Sequence, residues 1–154
     1  PDSSLYLGYV TRRNFRIYRN HFSRLSQALM NEGKNEKAVQ VLDTCFHHLP
    51  NQQVYYDAST TPLVTNYYDA GAKAKGEKQA RELYRTLSGN LEYFTSLDRG
   101  KQRQASRKIR GAMSGLYQLR QATNQAGQNE FSDSIQSDLK RYQGMIKLRM
   151  RRRR

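Results

Sequence analysis

The chain has 154 residues, 36% apolar and 26% charged, with no tryptophan and a net charge of +14, which suits one domain with a thin helical core. No apolar run approaches the ~20 residues of a membrane span. No signal peptide is visible, the chain starts at Pro1 and reads as a fragment or processed chain, and a single cysteine excludes an intramolecular disulfide while leaving the redox compartment open.

The charge is unevenly placed. Residues 1–98 hold 12 Lys or Arg against 10 Asp or Glu, and residues 99–154 hold 15 against 3. The last fifteen residues contain eight bases and no acid. Such asymmetry points to an anionic partner: a membrane surface, a nucleic acid or an acidic protein.

Pro1 to Val10 reads as a short arm lying on the first helix, with Thr11 as its N-cap. Phe15, Tyr18, Phe22, Leu25 and Leu29 step by three and four, which predicts one buried helix face. Arg12, Arg13, Arg16, Arg19 and Arg24 fall largely off that face and read as solvated surface. Glu32-Gly33-Lys34-Asn35 breaks the pattern. Ala38, Val41, Leu42, Cys45 and Phe46 then form a second helical face, ended by Pro50. The loop Asn51 to Thr61 is polar and tyrosine-rich. Helix three is expected from about Pro62 to Ala70, and helix four from about Gly76 to Leu87. Leu91, Tyr93, Phe94 and Leu97 continue helical structure, and Asp98-Arg99-Gly100 marks a boundary. Ala105, Ile109, Ala112, Met113, Leu116 and Leu119 form a further stripe, broken at Asn124 to Asn129. Phe131, Ile135, Leu139, Tyr142, Ile146 and Met150 form the last. No strand-like alternation competes, so the fold class is all-α.

The hairpin Phe22 to Pro50 resembles a tetratricopeptide repeat, whose period is about 34 residues. Gly33 sits in the turn, Ala38 stands where the helices cross closely, and Pro50 closes the unit. The pattern recurs 38 residues later, with Leu63 and Tyr67 matching Leu25 and Leu29, Gly71 matching Gly33, Gly76 matching Ala38, and Ala80 and Leu83 matching Leu42 and Cys45. The linker therefore exceeds the usual period by about four residues. The resemblance implies antiparallel helix-hairpin repeats over 1–97, a degenerate or capping helix pair over 98–150 packed on the same array, and a basic tail at 151–154. It also implies a groove lined by the first helix of each pair, with Gln27, Met30 and Asn31, then Thr65, Tyr68 and Asp69, facing a protein or peptide partner.

No catalytic constellation is visible. His47 and His48 are helix neighbours about 100° apart, His21 is isolated, and no zinc or other metal site is expected. Cys45 occupies a packing position and reads as a buried, inert thiol. Gly71 and Gly76 have P-loop spacing, but Glu77 stands where the lysine belongs. Gly111 and Gly115 make GxxxG, which signals helix pairing in an apolar span, and Arg110 and Arg120 argue against one. No cofactor is implied. Tyrosines cluster in the near-neutral half, away from most bases, so they read as core and interface fillers more than as stacking platforms for nucleic acid.

The segment RNHFSRLSQALMNEGKNEKAVQVLDTCFHHLPNQQVYYD, followed by a leucine-tyrosine helix with Gly71, resembles the C-terminal region of a bacterial family of multi-span membrane proteins. That family carries a domain-of-unknown-function label and is protein O-mannosyltransferase-like. The resemblance covers about Tyr6 to Leu97 and weakens from Arg99 onward. It implies a soluble interaction domain behind a membrane glycosyltransferase whose catalytic residues lie outside this chain, extracytoplasmic (periplasmic) by family analogy, whereas the basic tail would suit a cytoplasmic face. The alternative is an independent basic adaptor for nucleic acid or an acidic protein. Lys147, Arg149, Arg151, Arg152, Arg153 and Arg154 follow an amphipathic helix and are expected to meet an anionic membrane surface.

Overall fold

A computed structural model describes the backbone of residues 9–151 and the side chains of 14–98 and 100–146. The expectations for the arm at 1–8 and for the side chains of Lys147, Arg149 and Arg151 to Arg154 lie outside the described residues. Seven α-helices follow one another, with no strand among the described residues: α1 (Tyr9–Asn31), α2 (Asn35–His48), α3 (Thr61–Asp69), α4 (Lys73–Ser96), α5 (Arg99–Gln104), α6 (Ser106–Gln125) and α7 (Asn129–Arg151). A single 3-10 turn, Ala58–Thr60, leads into α3. Thr11, expected to cap α1, is already inside that helix. Helix four and its expected continuation are one helix, α4, because nothing between Leu87 and Leu91 interrupts the buried stripe.

The helices form three hairpins, α1–α2, α3–α4 and α6–α7, each closed by the same turn. Gly33, Gly71 and Gly127 have φ of 74°, 82° and 78°, a left-handed conformation that glycine reaches without a Cβ penalty. The residue after each glycine donates its N–H back to the fifth carbonyl before it: Lys34 to Leu29 at 2.8 Å, Ala72 to Tyr67 at 2.9 Å and Gln128 to Thr123 at 2.9 Å. These bonds satisfy carbonyls that a helix end otherwise leaves unpaired. Five residues after the glycine stand Ala38, Gly76 and Ser132, all buried. The break at Asn124 to Asn129 is thus a third instance of the same turn. Sequence spacing hides it because α5 intervenes, setting Gly127 well beyond one period from Gly71.

Consecutive hairpins stack. α2 lies against α3, α4 against α6, and α1 and α6 each touch α3. One apolar core runs through all three, from Leu42 and Phe46 through Leu63, Leu83 and Leu87 to Leu116, Ile135 and Leu139. Gly115 lets α6 approach the 3-10 turn: a Cβ there would meet Leu87 Cδ1 at 2.9 Å and the Ala58 Cα at 3.2 Å. One glycine of the GxxxG pair is therefore a packing site between α6 and its neighbours, while Gly111 faces open space.

α1 departs from its expected amphipathicity. Among its described side chains the buried ones are Arg19, Ser23 and Ser26, whereas Leu25 is 50% exposed. Asn66 of α3 explains the serines: its Nδ2 donates to Ser23 O at 2.9 Å and to Ser26 Oγ at 2.8 Å. Arg19 corrects the expectation of a solvated surface. It donates to Leu49 O at 2.9 Å and to Val54 O at 2.7 Å, and its guanidinium lies 4.7 Å from the centre of the Tyr56 ring. The long loop after α2 turns its carbonyls inward, and buried carbonyls need donors. A guanidinium offers several in one plane. Asn51 ties the same loop from the other side, accepting from Tyr56 N at 2.7 Å and donating to Thr86 Oγ1 at 2.8 Å.

Candidate partner-binding groove

The chain turns sharply where α4 ends. Asp98 caps α5 by accepting from Lys101 N at 3.0 Å, and this backbone bond holds its carboxyl below the usual range. Gln102 donates to Thr95 O at 2.9 Å, pinning α5 to the end of α4. A gap lies between the end of α4, α5, α6 and the C-terminal part of α7. The result is a groove of about 690 Å³. Ile109, Met113, Tyr117, Met145 and Ile146 supply its apolar floor, and Arg103 and Arg110 stand on its rim. Gln143 of α7 donates to the hydroxyl of the floor residue Tyr117.

The rim is basic without compensation. From Arg99 to Asn129 the chain holds seven bases and no acid. Lys101 pairs with Asp98 at 3.3 Å, and Lys108 lies 5.8 Å from the centre of the Phe94 ring. Arg103 and Arg110 are exposed, and neither forms an ion pair among those found in the described residues. An apolar trough edged by guanidinium groups can seat an amphipathic segment with acidic flanks. Periodicity marked Ile109 and Met113 as a helix face. It could not show which other elements would border that face.

The six residues expected to line an inner-helix groove border neither this cavity nor a smaller one of about 450 Å³ between the first two turns. Gln27, Asn31 and Asp69 are exposed, and Met30 and Thr65 half-buried. Thr65 donates to Thr61 O at 3.2 Å within its own helix. Tyr68 is engaged by the fold: its hydroxyl donates to Gln128 Oε1 at 2.9 Å, linking the second hairpin to the third turn.

Cys45 is 1% exposed, and burial pushes its thiol up to about 12, far from the thiolate that nucleophilic chemistry needs. His47 and His48 are exposed, with ring centres 4.9 Å apart and planes at 80°. Among the described residues, no group of three or more His, Cys, Asp or Glu is placed to hold a metal, and no helix is long and apolar enough to cross a membrane. No protein-family model matches the chain, and no curated protein or solved structure matches it.

Proposed function

We propose that the chain is a non-catalytic interaction domain, a tetratricopeptide-like array of three hairpins that receives an acidic amphipathic protein segment in the groove beside α5, α6 and α7. The observation that carries this reading is the apolar floor of Met113, Tyr117 and Met145 edged by the unpaired Arg103 and Arg110. The resemblance of residues 6–97 adds a parent, a membrane glycosyltransferase-like protein with this domain as its extracytoplasmic C-terminal part. The tail from Lys147 to Arg154 then adds attraction to an anionic bilayer, roughly 1 kcal/mol for each base near the surface.

A fluorescent synthetic helix with a leucine face and glutamate flanks tests the groove. Arg103→Glu with Arg110→Glu, and separately Met113→Gln, are each expected to weaken binding by about tenfold or more at physiological salt. Binding that ignores Met113→Gln and is matched by a single-stranded oligonucleotide, with affinity falling steeply as salt rises, would assign the basic surface to nucleic acid instead. For the tail, the full chain should pellet with anionic vesicles at low salt, and a chain ending at Met145 should not.

A further inference from the structure

Because the three hairpins share one turn, their helix faces compare position by position. Eight residues before the turn glycine stand Leu25, Leu63 and Leu119; five before, Ala28, Asn66 and Ala122; four before, Leu29, Tyr67 and Thr123. In α3 and α6 all of these are buried, with Leu63 and Leu119 at 0% exposure. In α1, Leu25 is 50% exposed, Ala28 is exposed and Leu29 only half-buried, and Tyr18 adds an exposed ring on the same side. The cover on α3 comes from the preceding hairpin: Phe46 of α2 stacks on Tyr67 at 5.6 Å between ring centres. α6 is covered in turn by α4. α1 has no preceding helix among the described residues.

The opposite end of the stack is built differently. Nine, thirteen and sixteen residues after the glycine stand Leu42, Phe46 and Leu49 in the first hairpin, and Ala80, Tyr84 and Leu87 in the second. In the third they are Gln136, Lys140 and Gln143, none of them buried. Where α2 and α4 present a covering face to the next hairpin, α7 presents two half-buried amides and the exposed ammonium of Lys140. A helical array needs such a polar outer face where it stops. By this comparison α7 carries the more polar outer face and α1 the more apolar one. Head-to-tail stacking of copies would lay Gln136 and Lys140 on Leu25.

We propose that the face of α1 around Tyr18, Leu25 and Leu29 seats one more helix, the second of a hairpin supplied by the polypeptide on the N-terminal side of Pro1. By the pattern of α2 and α4, that helix carries an aliphatic residue, an aromatic residue and a leucine at i, i+4 and i+7. The proposal stands apart from the groove beside α5, since it concerns the other end of the stack.

Hydrogen exchange decides it, comparing chain 1–154 with the native polypeptide extended upstream by about 40 residues, one hairpin and linker. Amides of residues 22–29 should exchange at least about tenfold more slowly in the longer chain. Leu25→Glu should lower the melting temperature of the longer chain and leave that of 1–154 unchanged, which also shows that the variant folds. Equal exchange in the two chains would overturn the proposal, as would a reading frame with no such upstream residues. So would a dimer of 1–154 that Leu25→Glu dissociates, which would give the face to a second copy.

Discussion

The ring of Tyr68 lies across Gly76, so closely that a Cβ at Gly76 would stand 2.7 Å from Tyr68 Cε1. The two residues sit on either side of the Gly71 turn, and the absence of one side chain is what admits the other. Gly76→Ala forces the ring aside, strains its bond to Gln128 and should cost on the order of 1–3 kcal/mol. In the Tyr68→Ala background the same change should cost less, since contacting residues couple. Urea denaturation of the four chains reads the difference; additive losses would remove the contact from the account.

Arg19 clamps the loop between the first two hairpins. Arg19→Met keeps much of the side chain's volume but leaves the carbonyls of Leu49 and Val54 buried without a donor. The loss should be on the order of 3 kcal/mol. Arg19→Lys should recover only part of it, because an ammonium is a point donor and lacks the planar fork. Thermal melts of the two variants check the order.

Gly127 and Gly111 predict opposite signs. Gly127→Ala places a Cβ on a backbone at φ 78° and should cost about 1–2 kcal/mol. Gly111→Ala adds a methyl in open space inside α6 and should gain about 0.5–1 kcal/mol. Equal effects in denaturant titrations would contradict the turn geometry.

Alkali should unfold the domain. Burial raises the thiol of Cys45 from 9.0 to about 12 and the hydroxyls of Tyr68, Tyr84 and Tyr142 from 10.0 to about 12. A raised folded pKa means that the folded state holds its proton more tightly. The stability is therefore fully present below the unfolded values and is lost as pH rises through the folded ones. Urea midpoints should hold steady up to about pH 9 and fall between about pH 9 and 12. Tyrosinate absorbance should lag behind that of free tyrosine until unfolding begins.

Local chemistry was legible along the chain wherever a signal repeats at short range. Helical periodicity, the glycine turns at Gly33 and Gly71, and the small residues Ala38 and Gly76 marked the first two hairpins, because 3.6-residue spacing and left-handed turn backbone are written in neighbouring residues. Cys45 was readable as a packing residue for the same reason. What only the tertiary structure decided depends on which surfaces meet. Arg19 is buried because a loop some 30 residues away offers it carbonyls, and no local pattern encodes that demand. Leu25 and Leu63 hold the same place in the same motif, yet one is half exposed and the other sealed, since burial belongs to the neighbour and not to the residue. The groove beside α6 is assembled from residues far apart in the chain, Gln102 of α5, Met113 and Tyr117 of α6 and Met145 of α7. Hydrophobic periodicity says that a face wants cover; only packing says whether cover arrives.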